Sequence, residues 1–162
     1  MNGLVRPFSR LPLAIVMAVV VAVADQASKW WIVEKLMQPP QIVPLTPFLD
    51  IVLVWNRGIT FGLFNSGGAA QPIVFTALAV AIAAGLLVWL RGVTRAWVAA
   101  AIGGILGGAV GNVLDRLRLG AVVDFIDVHV GIWHWPAFNV ADSAITVAVA
   151  AIALDALFSA KE

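Results

Sequence analysis

The stretch that decides the fold is residues 97–114, WVAAAIGGILGGAVGNVL, an apolar run without a charged side chain. A run of this length can cross the hydrocarbon core of a bilayer as an α-helix. It is also rich in glycine and alanine, which let neighbouring helices approach closely in a membrane. We therefore expect this segment to be a transmembrane helix at the centre of a bundle.

Three further stretches have a similar length and few charges. Together with the first, they give four expected spans at about residues 11–32, 71–90, 97–114 and 141–158. The composition agrees, because 62% of the 162 residues are hydrophobic and only 12% are charged, far from the average of a soluble domain. We expect a single integral membrane domain over residues 1–162, all-α within the membrane.

The first span also has a second interpretation. Arg6 and Arg10 precede an apolar run that reaches Ala22-Val23-Ala24, a pattern typical of a cleavable signal peptide. The run continues past Asp25 as far as Val33, which favours an uncleaved membrane anchor.

The charges leave the orientation of the four spans open. Both termini must share one side, and the 10 Lys and Arg residues divide five against five between the two faces. We expect cytoplasmic termini, because the cations on that side have few acidic neighbours. The longer connections, residues 36–70 and 117–137, would then be extracytoplasmic.

Both connections contain runs with the composition of β-strands. Asp50–Trp55 and Val122–Val128 are rich in β-branched and aromatic residues. The turn residues Asn56–Gly58 predict that the first run folds back through Ile59–Phe61 as a hairpin. The expected fold is therefore four transmembrane helices with a small periplasmic β-rich hairpin or sheet.

Polar side chains gather at the extracytoplasmic ends of the spans, where ionisable groups need a partner or a purpose. They are Asp25, Lys29, Asn112, Asp115, Arg116, Asn139 and Asp142. Asp25 and Lys29 are four residues apart on one helix, so they form either a structural ion pair or part of a site. Asp115 and Arg116 are interpreted as a structural pair or as contacts to lipid headgroups.

Asp124 and Asp142 differ from these, because neither has a cation close to it in the sequence and both adjoin apolar residues. Asp142 has a structural alternative, since a carboxylate in the first turn of a helix is stabilised by the helix dipole. If the two carboxyls meet, repulsion and burial favour one shared proton. One group could then activate water while the other donates a proton, as in aspartic peptidases.

Other kinds of site have less support. The chain has no cysteine, which excludes disulfides, thiolate metal ligands and a cysteine nucleophile. His129 and His134 do not form an HExxH motif and are expected to be solvated loop residues, so no metal site is predicted. Ser28, Ser66 and Ser143 lack a nucleophile-elbow context. A net charge of +1 gives no basic patch for nucleic acid.

Two other classes of membrane protein remain as alternatives. A transporter or channel subunit would also use paired carboxylates, but its polar residues would be spread through the depth of the membrane. A structural or assembly protein would need no polar cluster. The clustering of polar residues at one face favours an enzyme over both.

Five ordered blocks of sequence resemble the lipoprotein signal peptidase family, also called signal peptidase II. The blocks cover most of the chain and are Asp25–Lys29, Asn56–Gly62, Gly107–Arg116, Val122–Ile126 and Phe138–Ser143. Similar proteins usually have alanine after the Asn-x-Gly of the second block, where this chain has Ile59 and Thr60. Each block is weak alone, but five in order are highly specific.

The resemblance implies an aspartic endopeptidase of the bacterial inner membrane, with its active site facing the periplasm and Asp124 and Asp142 as its catalytic dyad. Its substrate would be a diacylglyceryl-modified prolipoprotein, cleaved on the N-terminal side of the lipidated cysteine. The family needs no metal or organic cofactor, and we expect a monomer that contacts membrane lipid and no nucleic acid. Residues that resemble the family's substrate-binding or supporting positions are Asn56, Gly58, Asn112, Arg116, Asn139, Asp25, Lys29 and Asp115. The hairpin with Trp55 and Phe61 is expected to cradle the substrate or to cover the site.

Overall fold

A computed structural model of the chain describes residues 8–58 and 70–159. Its helices are α1 (Leu11–Trp31, continued by a π-helical turn over Ile32–Leu36), α2 (Ala70–Leu90), α3 (Ala96–Leu119) and α4 (Val140–Ser159). Its strands are β1 (Val43–Thr46), β2 (Leu49–Asn56), β3 (Val122–Val130) and β4 (Trp133–His134). All four helices are long and apolar enough to cross a membrane. Four apolar helices and a small antiparallel sheet confirm the predicted fold class.

Helix α3 is the centre of the bundle. Of its membrane-spanning window 56% is buried, against 11%, 6% and 11% for α1, α2 and α4, which leaves those helices largely exposed to lipid. Glycines make the close packing possible, because a side chain on Gly103 or Gly107 would collide with the backbone of α1 at Ala14 or Ala18. On another face of α3, a side chain on Gly108 would lie 2.7 Å from the carbonyl oxygen of Ala141 in α4.

The sheet begins where α3 ends. Gly120, with a φ of +70°, closes the helix in the left-handed conformation, and its N–H donates to the carbonyl oxygen of Arg116 at 3.1 Å. Strand β3 starts at Val122, so only Gly120 and Ala121 separate the helix from the strand. The central helix therefore fixes the position of β3.

The strands lie in the order β1-β2-β3-β4, all antiparallel. In the register of β2 with β3, Val54 pairs with Asp124 and Asn56 with Val122. Buried Val123 and Phe125 form a small core with Ile32 and Met37, which attaches the sheet to the end of α1. Because side chains alternate along a strand, Asp124 lies on the face opposite this core.

The structure contains a hairpin that the sequence did not predict. β2 folds back on β1, which precedes it, through a tight turn between Thr46 and Leu49, and its other neighbour is β3. The arm expected at residues 59–61, including Phe61, lies outside the described residues. The prediction that His129 and His134 are loop residues is wrong, because they pair with each other across β3 and β4.

Candidate active site

The first turn of α4 holds Asp142 through a reciprocal cap. The side-chain oxygen of Asn139 accepts the backbone N–H of Asp142 at 2.9 Å, and the carboxylate of Asp142 accepts the backbone N–H of Asn139 at 3.2 Å. This arrangement is a capping box, which satisfies helix N–H groups that have no partner within the helix. The carboxylate of Asp142 is therefore fixed where α4 begins.

Asp124 reaches the same place from strand β3. It is 1% exposed and has no charged partner within ion-pair distance in the described parts of the chain. The side-chain amide of Asn56 donates to Asp124 Oδ2 at 2.9 Å, and that of Asn139 donates to Asp124 Oδ1 at 2.7 Å. Asn139 therefore contacts both aspartates and brings them together. Gly58 contributes through its backbone N–H, which donates to Asn56 Oδ1 at 3.0 Å and orients that amide.

Asn112, on α3, is the second amide between the two carboxyls. Its Nδ2 donates to Asp142 Oδ1 at 2.8 Å. Its Oδ1 accepts from Lys29 Nζ at 3.0 Å and from Asn139 Nδ2 at 3.2 Å. Because a lysine ammonium can only donate, the amide oxygen must face Lys29, and the amide N–H₂ is left facing Asp142.

Behind these amides lies a buried ion cluster of Asp25, Lys29 and Asp115. Lys29 Nζ lies 2.8 Å from a carboxylate oxygen of Asp25 and 2.9 Å from one of Asp115. Asp25 also accepts the backbone N–H of Ala141 at 2.9 Å, and Asp115 accepts that of Val123 at 3.1 Å. Each carboxylate of the cluster thus holds the residue that immediately precedes Asp142 or Asp124.

The cluster confirms one sequence expectation and corrects another. The Asp25–Lys29 ion pair is present. Asp115, however, pairs with Lys29 and not with Arg116, because neighbouring residues on a helix project about 100° apart. The structural pairing of Asp115 with Arg116 was therefore wrong.

Gln26 is a polar residue of this cluster that the sequence did not single out. Its Nε2 donates to Asp115 Oδ1 at 2.9 Å and to the carbonyl oxygen of Gly111 at 3.2 Å. An uncharged glutamine next to an apolar span gives little signal of its own. Its place between Asp25 and Lys29 in the first of the five blocks was the only available indication.

Arg116 takes a different position on α3. Its guanidinium stacks over the ring of Phe75 of α2 at 5.5 Å, and one of its N–H groups donates to the carbonyl oxygen of Asn112 at 3.4 Å. It is near enough to Asp142 and Asp124 to interact with both charges, yet it forms no ion pair with any residue that the structure describes. A half-buried cation in this position is available to a bound substrate.

The electrostatics of Asp124 suit acid–base chemistry. Burial is the largest influence and raises the pKa of the Asp124 carboxyl to about 6, against an ordinary value of 3.8. The hydrogen bond from Asn56 opposes this rise in pKa, the charge of Asp142 adds to it, and the bond from Asn139 opposes it again. Asp124 can therefore exchange a proton near neutral pH, beside a second carboxyl that Asn139 also contacts.

The two histidines lie elsewhere, at the outer end of the sheet. His134 Nδ1 is 2.8 Å from Asp127, and His129 Nε2 is 3.4 Å from Asp50. Within residues 8–58 and 70–159, no three acidic or histidine side chains converge in a way that would hold a metal ion. Trp55, expected to cover the site, projects to the face of the sheet opposite Asp124, beside its strand partner Val123.

Comparison with known proteins gives one consistent result. Residues 17–158 match the family described as signal peptidase (SPase) II. The chain is 44% identical to a lipoprotein signal peptidase of Methylorubrum extorquens over 82% of this chain and 78% of the relative. It is 46% identical to that of Paraburkholderia phymatum, covering 86% of this chain and 84% of the relative.

The structure is also similar to solved structures. A bacterial membrane enzyme determined by the in meso method at 2.3 Å superposes with a TM-score of 0.80 and 28% identity, covering 96% of this chain and 94% of the other. A second structure of that description, at 1.9 Å, gives the same TM-score and identity over 94% and 97% of the two chains.

Proposed function

The chain belongs to the signal peptidase II family, and on that premise we propose that Asp124 and Asp142 are the catalytic dyad of an aspartic endopeptidase that removes signal peptides from prolipoproteins. One observation carries the assignment. Asn139 hydrogen-bonds both carboxyls, at 2.7 Å to Asp124 and 3.2 Å to Asp142. Neither carboxyl has a cation within ion-pair distance among the described residues, so the two can share a proton.

The reaction follows from one shared proton. The ionised aspartate takes a proton from a water molecule between the two carboxyls, and the water oxygen bonds to the scissile carbonyl carbon. The protonated aspartate gives its proton to the carbonyl oxygen, which forms a neutral tetrahedral diol. When the C–N bond breaks, the protonated aspartate gives its proton to the leaving amine, and the ionised aspartate takes a hydroxyl proton from the diol, which becomes the new carboxyl terminus and leaves one proton on the dyad.

The amides and Arg116 act on geometry and charge. Asn112, Asn139 and Asn56 hold the carboxyl oxygens at hydrogen-bond distances of 2.7–3.2 Å. We assign Arg116 to the substrate backbone, because its charge is unpaired within the described chain and lies next to the dyad. The Asp25–Lys29–Asp115 cluster supports the dyad without contacting the reacting atoms.

The position of the dyad fits a substrate that enters from the bilayer. Asp142 lies in the first turn of one apolar helix, and Asn112 lies near the end of another. Val110 and Leu114, on either side of Asn112, are exposed and face the space that lipid would occupy. We propose that the substrate carries diacylglyceryl on the cysteine after the scissile bond, since two acyl chains fix that cysteine at the depth of the dyad.

We also propose, as the family resemblance implies, that the protein lies in the inner membrane, with the dyad facing the periplasm and both termini in the cytoplasm. A reporter that is active only in the periplasm should be active when inserted at residues 119–121 and silent at Gly92, which lies between α2 and α3. The reverse pattern would contradict this orientation.

The decisive experiment uses the purified chain in detergent with one precursor in two forms, with and without diacylglyceryl on the cysteine. We expect cleavage of the lipidated form, seen as a gel shift, and a much lower turnover of the other form with similar binding. Equal rates would show that the lipid does not position the substrate. Cleavage of neither form would refute the peptidase assignment itself.

A further inference from the structure

A pocket of about 200 Å³ lies between the ends of α1 and α3 and the sheet. Lys29 and Asp115 form part of its lining, together with Trp55 and Val123, whose side chains project away from Asp124. Asn56, Asn112, Asp124, Asn139 and Asp142 do not line it. The pocket is therefore separated from the dyad by the ion cluster and serves no step of the proposed reaction.

The pocket carries one cation and one anion that lack partners. Arg118, in the last turn of α3, and Glu34, in the π-helical turn after α1, both line it and are exposed. Neither forms an ion pair or hydrogen bond with any residue in the described part of the chain, including the other one. The ions deeper in the pocket are already matched, because Lys29 is bonded to Asp25 and Asp115.

The depth of the pocket points to the lipid headgroup layer. Its walls are the last turns of two helices long enough to cross a membrane. Trp30 and Trp55, which also line it, are 58% and 44% exposed. Trp30 lies at the end of α1 and Trp55 on strand β2, and exposed tryptophans of this kind are typical of the interface between hydrocarbon and water.

We propose that this pocket binds the headgroup of a zwitterionic phospholipid of the phosphatidylethanolamine type, with its phosphate at Arg118 and its ammonium at Glu34. A guanidinium matches the oxygens of a phosphate in a bidentate geometry, and a carboxylate accepts hydrogen bonds from a primary ammonium. A quaternary choline has no N–H group to donate, and a glycerol headgroup has no positive charge for Glu34. The acyl chains would extend along the exposed apolar surface of α1.

The proposal does not rest on the peptidase assignment, because it needs only a membrane location. It predicts a link to the dyad nevertheless. Asp115 lines the pocket and accepts the backbone N–H of Val123, the residue before Asp124. A headgroup bound there would stabilise the sheet at the point where it joins α3.

The test measures lipid retention on the full chain by native mass spectrometry, with phosphatidylethanolamine, phosphatidylcholine or phosphatidylglycerol of identical acyl chains. We expect phosphatidylethanolamine to bind with about tenfold higher affinity than the other two. Arg118→Gln should weaken it severalfold. Glu34→Gln should also weaken the binding of phosphatidylethanolamine. It should strengthen the binding of phosphatidylglycerol, because the variant no longer repels an anionic lipid. Arg57→Gln is the matched control, because it removes an exposed cation that does not line the pocket. It should not change the binding of any of the three lipids.

Three results would overturn the proposal. Equal binding of all three lipids, unchanged by either variant, would show that no headgroup is recognised. Preference for phosphatidylglycerol with no effect of Glu34→Gln would indicate an anion site at Arg118 alone. The third result concerns soluble glycerophosphoethanolamine, which has no acyl chains. If it raised the melting temperature as much as phosphatidylethanolamine does, the ligand would not be a membrane lipid.

Discussion

Two pairs of carboxylates lie in one hydrogen-bond network, and they differ in what stands between them. Lys29 lies between Asp25 and Asp115, at 2.8 and 2.9 Å. Between Asp124 and Asp142 stand the side-chain amides of Asn112 and Asn139, and no cation of the described chain is within ion-pair distance.

The difference distinguishes carboxylates that stabilise the fold from carboxylates that can exchange a proton with a substrate or water. Lys29 pairs with both carboxylates of the first pair, and each of these carboxylates also accepts a backbone N–H group. Amides orient carboxyls without cancelling charge, and we therefore propose that the second pair shares a proton. We test this contrast by removing the charge from each region in turn.

The largest effect is expected from Asp124→Asn and Asp142→Asn, because an amide can neither accept the proton of water nor return it. Each should lower turnover by on the order of 10⁴-fold in the gel-shift assay. Asp127→Asn, on the same strand as Asp124, is the matched control and should retain activity. Near-normal turnover by either variant would refute the assignment of Asp124 and Asp142 as the catalytic dyad.

These variants should remain folded. The stability that protonated Asp124 contributes is present in full below its ordinary pKa of 3.8 and is lost as the pH rises through about 6. Above pH 6, Asp124→Asn removes a buried negative charge, so its melting temperature should be unchanged or higher than that of the parent chain.

Lys29→Met should reverse this pattern and reduce stability together with activity. It leaves Asp25 and Asp115 buried next to each other without a cation, which costs about 3–5 kcal/mol of unfolding free energy. Thermal unfolding in detergent measures the loss. A Lys29→Met protein as stable as the parent would show that the cluster is not held by charge.

Gly111→Ala tests the cluster without changing any charge. The added methyl would collide with Oδ2 of Asp25, the oxygen that pairs with Lys29, so the carboxylate must shift. We expect a loss of about 1–3 kcal/mol and reduced turnover. Gly85→Ala in α2 is the control, because no atom lies within 4 Å of the added methyl, and alanine there should be neutral or slightly stabilising.

Asn56→Ala should shift the pH dependence of turnover. The Asn56 amide donates to Asp124 Oδ2 and so favours the ionised carboxylate. Its removal raises the pKa of Asp124 above about 6, and the limb of the pH–rate profile that reports Asp124 should move toward higher pH. Turnover at the optimum should fall about tenfold. An unmoved profile with lower turnover would indicate that Asn56 contacts only the substrate.

The smallest effect is expected from chelators. The proposed reaction uses only carboxyls and water, so EDTA should leave turnover unchanged. Loss of activity that added zinc restores would redirect attention to His129 and His134, whose side chains contact Asp50 and Asp127 at the edge of the sheet.

The sequence predicted best what depends on composition along the chain. Four apolar runs gave four helices, and the glycines of α3 predicted its central place because close packing requires them. The Asp25–Lys29 spacing gave an ion pair because residues four apart meet on a helix. That Asp124 and Asp142 act together was inferred from the family resemblance, since they lie 18 positions apart on a strand and a helix.

What failed depended on contacts between distant segments. Strand β1 contains Pro44, which weakens a strand pattern, and the hairpin turn between Thr46 and Leu49 was missed. The partner of Asp115 was misassigned because Lys29 is remote in sequence.

The reciprocal cap between Asn139 and Asp142 has a consequence for how the protein comes into being. Both of its hydrogen bonds exist only when the first turn of α4 is wound, and Asn139 reaches Asp124 only from that turn. If Asp124 and Asp142 are the dyad, as proposed, a newly inserted chain whose last helix has not yet docked has two separate aspartates and cannot cleave a peptide bond. Docking of α4 would then be the step that makes the enzyme active, and a copy without it would not cut the proteins around it.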